Sequence, residues 1–125
     1  ASILVVVDIP EGITIIGERS FTNCYSLKDI KFPKSLTSIC RMSFGYCSSL
    51  EQVDLLHTNV QKLGGSAFAY CTSLKEMKVP DSLQTFGGNA FLECSKLVPS
   101  IIDVDNEINY EDVTSEVVAY LRSIQ

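Results

Sequence analysis

The 125-residue chain has no tryptophan, four prolines and a single histidine, His57. With one histidine and no G-x-S-x-G around any serine, the usual partnership of a nucleophile and a nearby base has little to draw on. His57 lies in the stretch "LLHTN", where a solvated loop side chain is the simpler reading. Basic residues are also scarce: 10 Lys+Arg against 15 Asp+Glu give a net charge of −5, with no basic cluster. A nucleic-acid backbone or an anionic membrane surface is repelled by such a chain more than attracted, so no nucleic-acid partner is expected. The apolar run "ILVVV" (3–7) is far too short to span a bilayer and lacks a basic flank, so no membrane insertion is expected either. The chain begins at Ala1 without Met, which reads as a trimmed fragment. Otherwise the composition, 46% hydrophobic and 20% charged, is that of an ordinary globular domain.

Against these absences stands a repeat. Phe21, Phe44, Phe68 and Phe91 are spaced 23, 24 and 23 apart, and Cys24, Cys47, Cys71 and Cys94 each follow a Phe by three. Further columns keep the period: Leu27, Leu50, Leu74, Leu97; Ile30, Val53, Met77; Phe32, Leu55, Val79; Leu36, Val60, Leu83; Ile39, Leu63, Phe86; and the small residues Ser20, Ser43, Ala67, Ala90. Backwards, Leu4, Val7, Ile9, Ile13 and Ile16 fall into their columns. Fixed periods of this length mean stacked units, none of which buries its apolar face alone.

Within a unit, "LKDIKFP" (27–33) alternates Leu27, Ile30 and Phe32 with charges, as a short strand with one buried side does. Pro33 ends it, as Pro10 and Pro80 do in their units, because proline cannot donate to a ladder. "SLTSI" and "SLQTF" supply a second extended stretch. Glycine follows at 17, 64 and 87, read as allowing positive φ or a tight turn, and then a helical turn carries Phe and Cys inward at i and i+3.

The order "LxxIxxPxSLxxIxxxxFxxCxSL" resembles the BspA-like leucine-rich repeat over about residues 1–99. The resemblance implies an α/β repeat solenoid, a right-handed coil of about four rungs with short parallel strands and helical turns. It also implies a secreted or cell-surface setting and an adhesion or interaction role with no catalytic residues to carry over. Two departures stand out: Cys40 replaces the glycine, and unit three has "LLHTN" in place of proline and is one residue longer. Residues 100–125 are expected to form a linker and a C-terminal amphipathic capping helix, with Asn109 as N-cap, Asp112 three on, and Val113, Val117, Leu121 and Ile124 along one face. An EF-hand reading of "DVDNEINYEDV" (103–113) fails in its first half, where a ligand position falls on Ile101 and the turn glycine becomes Asn106.

The five cysteines could suggest disulfides or a metal, but four occupy one inward repeat column and the close C-x₂-C pairs of zinc sites are absent. A buried ladder, with Cys40 the exposed exception, is the expectation. Unpaired thiols lean towards a reducing compartment, against the surface location that the resemblance implies. The glycine pairs 64–65 and 87–88 lack the lysine and hydroxyl of a phosphate loop and recur in phase, so they read as structural turns. No catalytic residue, metal site or cofactor is therefore expected.

Two charge columns, Asp8, Lys31, Asp54, Lys78 and Lys28, Glu51, Lys75, alternate in sign along the expected sheet. Such alternation favours in-register stacking and leaves no single-sign field for a charged ligand. Tyr25, Tyr46 and Tyr70 sit beside the cysteine column and, with Leu56 and His57, are the candidate contacts for a protein partner of unknown identity. Val5 and Val6 stand where other rungs carry Lys28 and Asp29 or Lys75 and Glu76, so the first strand is an unprotected apolar edge suited to self-association. The sequence thus reads as a non-catalytic interaction module, of recognition or adhesion type. The alternative is a structural spacer that stacks within a longer repeat protein.

Overall fold

Alternating apolar residues bounded by turn signals produce two short strands per repeat, and the computed structural model, which describes residues 5–97 with Ala119 and Ser123, shows how they stack. The strands are β1 (Val5–Asp8), β2 (Ile15–Ile16), β3 (Leu27–Lys31), β4 (Ser38–Ile39), β5 (Gln52–Asp54), β6 (Lys62–Leu63), β7 (Glu76–Lys78) and β8 (Thr85–Phe86). All pairing is parallel: β1 with β3, β5 with β7, and β2-β4-β6-β8 as one four-stranded sheet. Odd strands therefore line one side of a coil and even strands another, in four rungs spanning 5–26, 27–49, 50–73 and 74–97.

The core is a set of ladders along the coil. Phe21, Phe44, Phe68 and Phe91 stack with centroids 5.2, 5.3 and 6.0 Å apart and planes within 6° of parallel. Phe44, Phe68, Cys47, Cys71 and Cys94 are buried, whereas Phe21, Cys24 and Phe91, in the outer rungs, are partly covered. Leu36, Ile39, Leu50, Leu55 and Leu63 are fully buried in the same core.

The expected helical turns are not there: residues 5–97 contain no helix. Arg19, Met42, Ser66 and Asn89 have φ of 55–60°, and Asn23, Tyr46, Tyr70 and Glu93 have φ of 59–62°. A left-handed residue every fourth position interrupts the i→i−4 ladder, leaving tight turns such as Ser20 N→Gly17 O and Cys24 N→Phe21 O, each 3.2 Å. The amides so released bond sideways to the next rung, as in Phe21 N→Ser43 O at 2.8 Å and Phe68 N→Ala90 O at 2.9 Å.

The glycine column also needs a different explanation, since Gly12 is the sole described glycine at positive φ. A Cβ on Gly64 would lie 2.6 Å from the Cys40 carbonyl carbon, and one on Gly87 2.6 Å from Gly65 Cα. Close approach of successive backbones is what demands glycine there. Cys40 tolerates its side chain with the same register, its N–H reaching Ile16 O at 3.0 Å where Gly64 and Gly87 make the equivalent bond at 2.7 Å.

Unit three interrupts the odd-strand sheet, for β3 and β5 are not joined as a ladder. In place of proline, Asp54 Oδ1 accepts from Leu56 N at 3.0 Å and Thr58 Oγ1 donates to Leu55 O at 2.7 Å. The capping helix expected over residues 100–125 is not supported, for no helix is among the described elements; Ala119 and Ser123, both exposed, are the sole residues described there. The rest of that stretch, including Asn109, Asp112, Val113, Val117, Leu121 and Ile124, lies outside the described residues, as does Leu4.

Candidate functional site

The residue two after each core Phe is Asn23, Tyr46, Tyr70 or Glu93, and all four are left-handed. Asparagine is a natural occupant of that conformation, while a bulky ring there is uncommon and costs on the order of 1–2 kcal/mol. Phe44 and Phe68 point into the core, and the left-handed turn swings the tyrosines out to solvent. Their rings stack at 4.7 Å with planes 3° apart, and Tyr46 and Tyr70 remain 41% and 36% exposed. The backbone beneath is secured by Tyr46 N→Ala69 O at 2.8 Å and Tyr70 N→Leu92 O at 2.7 Å.

Tyr25 does not join them. It follows its cysteine instead of preceding it, shares a column with Ser48 and Thr72, and is 59% exposed with no ring contact among the described residues. Leu56 and His57 lie on another corner, after β5. Leu56 is exposed, and the His57 ring donates through Nε2 to the Phe32 carbonyl oxygen at 2.6 Å, tying rung three to rung two. His57 is thus more than a solvated loop side chain, although the sequence carried one hint of this corner: Asp two before Leu56 and Thr three after Leu55 are turn-forming spacings.

On the odd-strand face, Glu51 sits between Lys28 at 4.0 Å and Lys75 at 3.6 Å. In the other charge column, Lys78 turns to Glu76 on its own strand at 3.6 Å, and Asp54 is engaged with the Leu56 amide. A shallow groove of about 330 Å³ on this face is lined by Val6, Lys28, Asp29, Glu51, Gln52 and Lys75. Lys28 and Lys75 are exposed and paired with Glu51, and Asp29 Oδ1 accepts from Ile30 N at 2.9 Å, so the face carries little net field and little binding energy.

The thiols are structural. Cys47 and Cys71 donate to the Phe21 and Phe44 carbonyls at 3.1 Å, and Cys94 to that of Phe68 at 2.9 Å. Burial pushes Cys47 up from 9.0 to about 12. Cys71 is pushed up further, by its hydrogen bond with Cys94 and by burial. Both shifts favour the protonated thiol at neutral pH, which makes Cys47 and Cys71 poor nucleophiles and poor metal ligands. Among the described residues no His, Cys, Asp and Glu gather into a metal-binding group, and no helix is long and apolar enough to cross a membrane.

The chain matches the BspA type leucine rich repeat region across residues 2–113, in six copies, and belongs to that family. The solved structures that resemble it include the following two. One is a leucine rich cell surface protein from Faecalibacterium prausnitzii A2-165, 32% identical over 64% of this chain and 20% of that chain, with a TM-score of 0.57. The other is a leucine-rich repeat protein from Bacteroides ovatus ATCC 8483, 29% identical over 74% of this chain and 30% of that chain, with a TM-score of 0.56. The chain therefore spans less than a third of the length of either. No curated protein matches it.

Proposed function

We propose that this repeat segment is a non-catalytic protein-interaction module, of recognition or adhesion type, displayed at a cell surface. The stacked Tyr46–Tyr70 pair carries the reading: two solvent-facing rings are kept parallel on a backbone that disfavours them. Paired tyrosines offer large contact area with little entropy to lose, the property that makes aromatic residues binding anchors. The self-neutralised sheet face competes little for a partner. Buried, protonated thiols and a histidine engaged with a core carbonyl support a non-catalytic role, and the Faecalibacterium relative, described as a cell surface protein, supports the location.

A photo-reactive phenylalanine at position 70, compared with one at position 85, tests this on intact cells. Protein adducts at 70 that excess unlabelled chain competes away, and that a Tyr46→Asn, Tyr70→Asn chain does not, are expected. No adducts, or equal adducts at 85, refute it. The second reading, a spacer within a longer stack, is favoured by the resemblance to short stretches of much longer repeat proteins, and adducts solely with other solenoid rungs would select it.

A further inference from the structure

The left-handed turns of rungs two and three hold two phenols face to face. Tyr46 and Tyr70 have φ of 62° and 61°, and each is tied to the next rung through its own amide, at 2.8 Å to Ala69 O and 2.7 Å to Leu92 O. Equivalent residues with one backbone conformation send their side chains out in one direction. The rings accordingly lie with centroids 4.7 Å apart and planes 3° from parallel. Stacked this way from adjacent rungs, the two hydroxyls sit side by side, and so do the ring carbons next to them. Both side chains are exposed, and among the described residues neither hydroxyl has a hydrogen-bond partner.

What surrounds the pair leaves a one-electron oxidant with the phenols themselves. The chain has no tryptophan, the other side chain that readily gives up a single electron from an aromatic ring. Cys47 and Cys71 follow the two tyrosines in sequence, but both thiols are buried and donate to the Phe21 and Phe44 carbonyls at 3.1 Å. They are enclosed while the rings are not. Tyr25 is more exposed than either ring and has no ring contact among the described residues. It provides an isolated phenol in the same molecule, against which the effect of stacking can be read.

We propose that Tyr46 and Tyr70 are an oxidative cross-linking site, joined ring to ring by hydrogen peroxide acting through a peroxidase. Each phenol gives up one electron and one proton, and the two phenoxyl radicals pair their electrons in a bond between ring carbons ortho to the oxygens. The hydrogen on each bonding carbon then moves to its own oxygen as the ring regains aromaticity. The product keeps both phenols and has two hydrogens fewer than the pair. The two electrons and two protons released reduce one hydrogen peroxide to two waters. A pair already in contact replaces the chance meeting of two radicals, the advantage that proximity and orientation confer. The new bond joins residues 24 apart in sequence and fastens rungs two and three at the joint that lacks a β3–β5 ladder. Like a disulfide, it restricts the unfolded chain. The reaction needs the rings and no bound partner, so it is independent of the binding role proposed for them.

Treating the native chain with a haem peroxidase and limiting hydrogen peroxide, then mapping its peptides by mass, tests this. The expected product is a single chain lighter by two hydrogens, with the peptides of Tyr46 and Tyr70 joined, in a yield that does not change with protein concentration. Tyr46→Phe and Tyr70→Phe keep a stacked ring but lose a phenol, and each should lower the intramolecular product about tenfold or more. Tyr25→Phe should leave it unchanged. Melting curves verify that each variant is folded. The cross-linked chain should unfold at a higher urea concentration than the untreated one. No coupling, coupling between molecules alone, or an intramolecular yield that both stack variants leave intact overturns the site, and an unchanged urea midpoint overturns its fastening of the two rungs.

Discussion

Replacing Gly64 by alanine should cost much of the fold's stability, while the same change at Gly17 should cost little. A Cβ at Gly64 would lie 2.6 Å from the Cys40 carbonyl carbon and 2.9 Å from Arg41 Cα, against an ordinary carbon contact of ~3.5–4.0 Å. Both neighbours are backbone, so rungs two and three must part by about 1 Å at that point. The bonds Gly64 N→Ile39 O, 2.7 Å, and Met42 N→Gly65 O, 3.0 Å, then stretch or break. Each contributes a net ~0.5–1.5 kcal/mol, and the crowding adds ~1–3 kcal/mol. Alanine's smaller unfolded-state entropy returns ~0.4–1 kcal/mol. Together these give a loss of roughly 1–6 kcal/mol, a large share of the ~5–15 kcal/mol of a typical domain.

Gly87→Ala should behave likewise, with Gly65 Cα at 2.6 Å and Gly64 C at 2.7 Å from the added carbon. Gly17 meets only the exposed Ser20 hydroxyl, which donates to Gly17 O at 2.7 Å, so Gly17→Ala costs at most that one hydrogen bond, ~0.5–1.5 kcal/mol. Urea unfolding followed by far-ultraviolet circular dichroism, at concentrations where the chain is monomeric, gives the midpoints. Equal losses at Gly17 and Gly64 would show that the column needs glycine for its own dihedral angles and that close rung approach is the wrong cause.

The thiols and alkaline pH supply two further outcomes. A water-soluble thiol reagent should modify Cys24 and Cys40, which are partly exposed, and reach Cys47, Cys71 and Cys94 only after unfolding; mass mapping showing rapid labelling of Cys71 in the native chain would contradict the ladder. Cys47 is raised from 9.0 to about 12, so the folded chain holds its proton where the unfolded chain has lost it, and stability is full below about pH 9 and falls towards pH 12. The slope approaches ~1.4 kcal/mol per pH unit per thiol, and Cys47→Ala should flatten it; urea midpoints as steep in that variant as in the parent would remove the thiol as the cause.

Stacked rungs were legible because core columns depend only on which residues are apolar and how far apart they stand. Phe21, Phe44, Phe68 and Phe91 mark the period without any knowledge of backbone angles, and Pro10, Pro33 and Pro80 mark strand ends by lacking a donor. The turn limb was not legible. Arg19, Met42, Ser66, Tyr46 and Tyr70 are not residues that announce a left-handed conformation, and Asn23 and Asn89 alone hint at it. Phe and Cys three apart fit a helical turn equally well until the interrupting φ values are known. Gly64 was misassigned for a related reason: what it avoids is the backbone of Cys40 and Arg41, 23 and more residues away in sequence. Tyr25 was grouped with Tyr46 and Tyr70 by its nearness to a cysteine, whereas counting two residues on from each Phe separates it at once.

The tyrosine pair and the irregular unit three meet at one joint. Between rungs two and three the β3–β5 ladder is missing, while β4–β6 pairing continues and Phe44 and Phe68 still stack at 5.3 Å. His57 ties the odd-strand corner across that joint through Phe32 O, and Tyr46 against Tyr70 ties the turn corner across it at 4.7 Å. An extra residue is tolerated in a solenoid because each rung contacts only its neighbours, so the irregularity is absorbed locally. The joint that lacks the odd-strand ladder thus gains side-chain ties at two separate corners, one of them the exposed aromatic stack, beside the backbone bonds that continue along its other limbs. Under the proposed function, a partner that grips both rings clamps rungs two and three together across the joint whose odd-strand ladder is missing. Its binding should protect amides of 50–56 from exchange as well as those beneath the tyrosines.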